Sequence, residues 1–223
     1  MKIHPTVLKI QGLLRKIDDL RLPDSSRLDI ESILVRQATK ELDHALPWQR
    51  GHGRRTAALA RAIGCSIGLP CDALHHLTLA SLLHDIGLLG LPAHLASPHR
   101  YLDSESYSII QCHPRIGAQW LEPYRFLQKA SVIIAHHHER WDGSGYPYGL
   151  RGTFIPLEAR VLSIADAFDA IQVPDGVDQK TRDRVAYRIL KVASGTQFDP
   201  NLVELCGDCL TKTHRETVSN IIN

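Results

Sequence analysis

The chain is expected to fold as an all-α protein, and three features of its pattern say so. Apolar residues recur at the three-to-four spacing of a helix face in segment after segment. No alternating apolar and polar stretch of useful length offers a strand, and neither an internal repeat nor a low-complexity tract is present. Prolines such as Pro47, Pro70 and Pro92 fall between the periodic segments, where they end helices.

Residues 5–20 set Val7, Ile10, Leu13, Leu14, Ile17 and Leu20 on one face with charge opposite. LPDSSRLD breaks this helix, and Asp24 or Ser25 can cap the next one. Residues 29–45 form a second amphipathic helix that stops before Pro47. The character changes from Trp48, where GHGRRTAALARAIGCSIGL predicts a helix with an alanine-rich face and His52 at its start. Residues 71–83 are a strongly apolar helix running straight into His84 and Asp85, with Gly87, Gly90 and Pro92 ending it. PAHLASPHRYLDSESYS reads as a loop, with Asp103 or Ser104 capping a short helix over 106–112. Pro114 disfavours helical backbone at His113, so His113 is expected at the end of that helix. Helices over 115–121 and 126–138 come next, then a glycine-rich loop. PLEARVLSIADAFDAI opens on Pro156, favourable in a first turn, and surrounds Asp166 with the densest apolar context of any acid in the chain. Helices over 184–193 and 200–210 close it.

A chain of 223 residues accommodates one or at most two domains. We divide it into an N-terminal helical segment, 1–46, expected to serve as a lid, dimer seam or connector or else simply to pad the core, and a main domain, 47–223. A net charge of +2 gives no broad basic field for a nucleic-acid backbone, and 6% aromatic residues give no stacking platform, so no DNA partner is expected. The first residues are too charged for a signal peptide and no apolar run reaches spanning length, so the expected location is cytoplasmic with no membrane partner. Five cysteines, an odd number, suit a reducing compartment. The lone CGDC at 206–209 lacks a redox context, and with only His214 nearby it lacks a second pair of zinc ligands.

Chemistry is concentrated elsewhere. Residues 136–147, HHHERWDGSGYP, run ligand-type side chains into a loop whose glycines let backbone approach a small molecule. The plain alternative is an exposed polar turn with incidental histidines. His84 and Asp85, and separately Asp166, put carboxylates in apolar surroundings, where an unpaired charge is costly. Each needs a cation, or an ordinary Asp–His hydrogen bond. The candidate set is His52, His84, Asp85, His113, His137, His138 and Asp166. Five imidazoles and two carboxylates suit iron, manganese or zinc better than calcium or magnesium. Seven ligands exceed one tetrahedral ion and suit two, with Asp85 bridging. Adjacent pairs such as His84–Asp85 and His137–His138 diverge by roughly 100° on a helix, so each pair can serve two neighbouring ions. Two ions about 3.5–4 Å apart generate a hydroxide and neutralise a phosphoryl group, which points to hydrolysis of a phosphate ester.

The ordered strings H52-x-x-R, HDIG, HPRIGA, HHERWDGSGYP and IADAFDA resemble the HD-GYP family of HD-domain phosphohydrolases, over roughly residues 48–206. The resemblance implies a helical bundle with a bimetallic or trimetallic centre, often of iron or manganese, and the donor chemistry leaves zinc as a third choice. It implies the seven residues above as ligands, with His84 and Asp85 at the catalytic heart. It also implies hydrolysis of cyclic di-GMP to pGpG and, in some members, GMP, and contacts to signalling proteins through the loop that holds Tyr146. A homodimer is a further expectation.

The sequence departs from that family in four places. Leu88 stands where a phosphate-touching lysine is usual, and Trp48 where members with three metals carry glutamate, so two ions are expected. Ser97-Pro98 replaces Lys-Pro, and IQVPDGVDQKTRD replaces an Arg-Pro-Tyr-Arg element. Each lost charged contact to phosphate costs about 1.5–3 kcal/mol. The substrate-side candidates left are Arg55, Arg140 and Arg151, backed by Lys180, with Gly145 and Tyr146 of the loop. A degenerate module that binds metal but works by protein contact, and a hydrolase for another phosphate, are the competing readings.

Overall fold

The computed structural model describes residues 4–19, 24–92, 94–95, 103–171 and 176–212. Within them lie α1 (Pro5–Asp19), α2 (Asp24–Ala45), α3 (His52–Ser66), α4 (Cys71–Leu83), α5 (Ser104–Ile110), α6 (His113–Leu121), α7 (Gln128–His136), α8 (Leu157–Ala170), α9 (Gln179–Val192), α10 (Pro200–Leu205) and α11 (Gly207–Lys212). Tight 3-10 turns fill Pro47–Gln49, His84–Gly90, Arg125–Leu127 and Gly152–Phe154. The described residues contain no strand, only an isolated bridge between Ser194 and Phe198. The all-α expectation holds. None of these helices is long and apolar enough to cross a membrane.

Several boundaries move for identifiable reasons. α2 starts at Asp24, directly after Pro23, because the polar DSSR run is tolerated in a first helical turn. α9 starts at Gln179, where Asp178 caps it by accepting from the Thr181 N–H at 3.1 Å. The single closing helix is two, divided at Cys206. A Cβ on Gly207 would lie 2.4 Å from the Tyr187 hydroxyl, so a side chain here would displace the Tyr187 ring of α9. His113 is the first residue of α6, not the last of the preceding helix. Pro114 falls in the first turn of α6, where its missing N–H leaves no hydrogen bond unmade. The Ser97-Pro98 and His214 positions, most of the IQVP stretch and the side chains of Asp24 and Ser25 lie outside the described residues.

One apolar core runs from Val7, Ile10 and Leu14 of α1, through Val35 and Leu42 of α2, to Leu77 and Leu83 of α4, Ile134 of α7 and Leu162 of α8. Each such side chain contributes about 1.5–3 kcal/mol by leaving water. The two N-terminal helices therefore share the core of the rest. Leu88 also belongs to it, at 6% exposure. α3 lies against α4 and α8, and α6 lies against α7 and the His84–Gly90 turn. Two glycines permit these approaches. A Cβ on Gly53 would meet the Leu82 carbonyl oxygen at 3.0 Å, and one on Gly87 would meet that of His113 at 1.9 Å.

Candidate metal centre

Three buried histidines are aimed in one way. Nδ1 of His84, His113 and His137 lies 2.9, 2.8 and 2.6 Å from the carbonyl oxygens of Ser81, Ile110 and Ile134, each three residues upstream. A carbonyl only accepts, so each Nδ1 carries a proton and Nε2 is the ring nitrogen turned inward. In all three, Nε2 is buried and has no hydrogen-bond partner. A buried polar atom without a partner needs an explanation, and a bound cation supplies one.

The rings form a connected wall. Centroids lie 5.1 Å apart for His52 and His84, 5.3 Å for His84 and His137, 5.4 Å for His113 and His137, and 5.0 Å for His113 and His138. Two groups result whose donor atoms lie within 4.8 Å of one another, His52–His84–Asp85 and His113–His137–His138. Asp85 faces both groups. Its Oδ2 lies 3.2 Å from His84 Nε2 and 3.9 Å from His52 Nε2, and its Oδ1 lies 3.4 Å from His113 Nε2. Asp166 reaches in from α8, with Oδ1 2.9 Å from His52 Nε2 and 3.5 Å from His84 Nε2. All seven side chains singled out in the sequence thus converge.

The electrostatics divide the histidines. Burial pushes the pKa of His113 down, that of His137 far down and that of His138 to about 4, with neighbouring imidazoles adding to the effect for the latter two. All three are neutral at pH 7 and able to ligate. Burial also opposes charge on His52, but hydrogen bonds to Asp166 and Asp169 prevail and raise its pKa to about 9. His84 is likewise raised against burial, by Asp85 and Asp166. Burial opposes ionisation of Asp85 and Asp166, yet these imidazoles hold both carboxyls below the usual range. The carboxylates draw positive charge into the centre, as protons or as metal ions. The lone pairs, the acids and the mixed nitrogen and oxygen donors all fit divalent transition metals.

Three supporting residues carry no role in the sequence reading. Asp169 accepts from His52 Nδ1 at 2.7 Å and takes a two-pronged contact from Arg55, at 2.7 and 2.9 Å. Its place one helical turn after Asp166 was the available signal. Gln49 donates to Asp85 Oδ2 at 2.6 Å, a pairing with no local sequence signature. Glu139 is buried and accepts the backbone N–H groups of Tyr148 and Leu150 at 2.7 and 2.9 Å, folding the glycine-rich loop around itself. An acid followed by a glycine loop offers that hint only in retrospect.

The substrate-side candidates are more scattered. Arg55 is committed to Asp169 through a half-exposed guanidinium. Arg140 Nε donates to Ser144 Oγ at 3.0 Å, within the loop. Arg151 and Lys180 are exposed. Gly145 packs on backbone, where a Cβ would lie 2.3 Å from the Arg140 nitrogen. Tyr146 lies over His138, ring centroids 4.9 Å apart.

Fold and donor set together define a helical domain built on an adjacent His–Asp pair, with a candidate metal centre in its core. The chain belongs to the HD-domain family, whose model, described as HD domain, matches residues 36–202, and its HHERWDGSGYP string is that of the HD-GYP branch. The match begins inside α2. The chain is 34% identical over 152 residues to the cyclic di-GMP phosphodiesterase response regulator RpfG of Xanthomonas campestris, covering 67% of this chain and 40% of that protein. It is 35% identical over 156 residues to 3'3'-cGAMP-specific phosphodiesterase 2 of Vibrio cholerae, covering 69% and 30%. It spans less than half the length of either curated relative. Among solved structures, Bd1817, an HDG"Y"P protein from Bdellovibrio bacteriovorus, superposes with a TM-score of 0.61 at 21% identity, over 92% of this chain and 70% of that one. At that identity the likeness is one of fold.

Proposed function

We propose that this chain is a metal-dependent phosphodiesterase acting on a cyclic dinucleotide, cyclic di-GMP first among them, and opening it to pGpG and onward to GMP. The observation that carries this reading is the pair of histidine groups joined by Asp85, with the inward Nε2 atoms of His84, His113 and His137 making no hydrogen bond. His52, His84, Asp85, His113, His137, His138 and Asp166 hold two ions, of which iron and manganese suit the mixed donors best and zinc also fits. When bound, such ions activate water at neutral pH and neutralise phosphoryl charge. His84 and Asp85 lie at the heart of that centre.

The chain's own residues do the rest. Burial keeps the Tyr146 phenol protonated, so it can donate a hydrogen bond to a phosphate oxygen beside His138. Arg140 and Arg151 flank the loop with positive charge, while Arg55 on the α3 side is engaged by Asp169. Leu88 offers no charge and motivates the alternative of a silent, protein-binding module, but the complete donor set favours catalysis. The domain works in the cytoplasm, a signalling partner docks on the loop that exposes Tyr148, and the chain pairs as a homodimer under this reading.

The test is direct. Protein loaded anaerobically with iron, manganese or zinc is mixed with cyclic di-GMP and the products are separated by chromatography. Accumulation of pGpG supports the reading. Absence of turnover with all three metals overturns it, and a parallel panel of cyclic GMP-AMP and cyclic di-AMP ranks the substrates.

A further inference from the structure

Gln49 makes the shortest contact to Asp85, 2.6 Å from Nε2 to Oδ2, while the three histidines that face this carboxylate stand 3.2 to 3.9 Å away. A carboxylate turns easily about its last torsion. An aspartate asked to present one oxygen to each of two ions therefore needs something to fix its plane. A carboxamide suits that task, since it donates a hydrogen bond without carrying a charge that would repel the ions.

Gln49 is itself fixed. It closes the Pro47–Gln49 turn, after buried Leu46. Two residues on, Gly51 adopts φ 78°, a left-handed conformation that glycine takes freely. Its N–H donates to Asp43 Oδ1 of α2 at 2.9 Å, and Arg54 lies 3.4 Å from Asp43 Oδ2. One cleft is lined by Asp85 and Gln49 together with Thr39, Leu42 and Asp43 of α2.

We infer that Gln49 is a positioning residue for Asp85. Its amide fixes the carboxylate plane so that Oδ1 faces the His113 group and Oδ2 the His52–His84 group. It also takes one of the roughly four lone-pair positions of the carboxylate, closing the α2 side to metal. The N-terminal helical segment thereby reaches the centre through Asp43 and the 47–51 turn. The inference rests on the metal-centre reading and adds a residue to it.

The experiment is a manganese(II) binding isotherm, read by the electron paramagnetic resonance signal of the free ion, on the wild type, Gln49→Leu and Gln49→Asn. Leucine cannot donate, and asparagine keeps the amide but falls a methylene short. Both variants should bind manganese about 10–100-fold more weakly, with any fall in the thermal midpoint of the metal-free protein too small to account for that loss. Wild-type affinity in either variant overturns the inference. So does a fall in the metal-free midpoint that accounts for the lost affinity. A wild type that binds no manganese overturns the inference and the metal-centre reading together.

Discussion

Gly87 lies flat against the backbone of His113, so close that a Cβ on the glycine would fall 1.9 Å from the histidine's carbonyl oxygen. This contact joins the turn that carries His84 and Asp85 to the helix that begins with His113. It brings His113 Nε2 within 3.4 Å of Asp85 Oδ1. The obstructing atoms are backbone and cannot swing aside. Gly87→Ala should therefore separate the two elements, costing about 1–3 kcal/mol from overpacking and weakening metal binding as well. Urea unfolding measures the first effect; a midpoint equal to wild type would mean the two backbones part freely.

Asp169 secures His52 without belonging to the seven proposed ligands. Asp169→Ala removes the acceptor at His52 Nδ1 and frees Arg55. Metal affinity should fall about 10–100-fold, as for other groups that orient a ligating histidine. Asp169→Asn keeps an oxygen for the ring N–H and should recover part of the loss. Isothermal titration with manganese decides the matter, and equal affinities for wild type and Asp169→Ala would leave Asp169 no part in holding the centre.

Glu139 organises the loop that ends at Tyr146 and Pro147. Glu139→Ala strips the Tyr148 and Leu150 amides of their acceptor, at about 0.5–1.5 kcal/mol for each hydrogen bond lost, since Tyr148 is exposed and water can replace the carboxylate. Amide hydrogen exchange at 148 and 150 should accelerate, while amides in α4 stay protected. Unchanged exchange at both positions would show that contacts such as Trp141 N–H to Gln197 O hold the loop alone.

Metal removal should also register in stability. Asp85 and Asp166 both face His84 in the core, where a bound cation compensates their charge. An ion that binds only the folded state adds about 2.7 kcal/mol when present at 100 times its dissociation constant. Chelation followed by manganese addition should raise the thermal midpoint in wild type, and a midpoint indifferent to manganese would argue against a site in the core.

The fold class was legible because helical periodicity survives in every long segment and strand alternation is missing. Of the seven candidate donors, His84, Asp85, His137 and His138 stand beside strong local signals, an apolar helix running into His84–Asp85 and a histidine run before a glycine loop, Asp166 is marked by its apolar context, and His52 and His113, weak alone, enter through the ordered strings. The relationships that escaped depend on distance in the chain. Gln49 meets Asp85 across 36 positions, and nothing local to Pro47–Gln49 announces it. His113 was given to the wrong helix because the residue before a proline reads as a stop, although the proline's first-turn position makes it a start. Residues 1–46 left two readings open, a lid or connector and a layer that pads the core, because an amphipathic face does not name its partner. That face completes the common core.

The proposed centre consists of seven side chains holding two ions with Asp85 between them. Metal equivalents retained after anaerobic loading and desalting, in wild type and in Asp85→Ala, test it most directly. Elemental analysis should find two equivalents of iron or manganese per wild-type chain and close to none in the variant. Equal metal content in the two proteins would contradict the shared role of Asp85, and an empty wild type would contradict the centre itself.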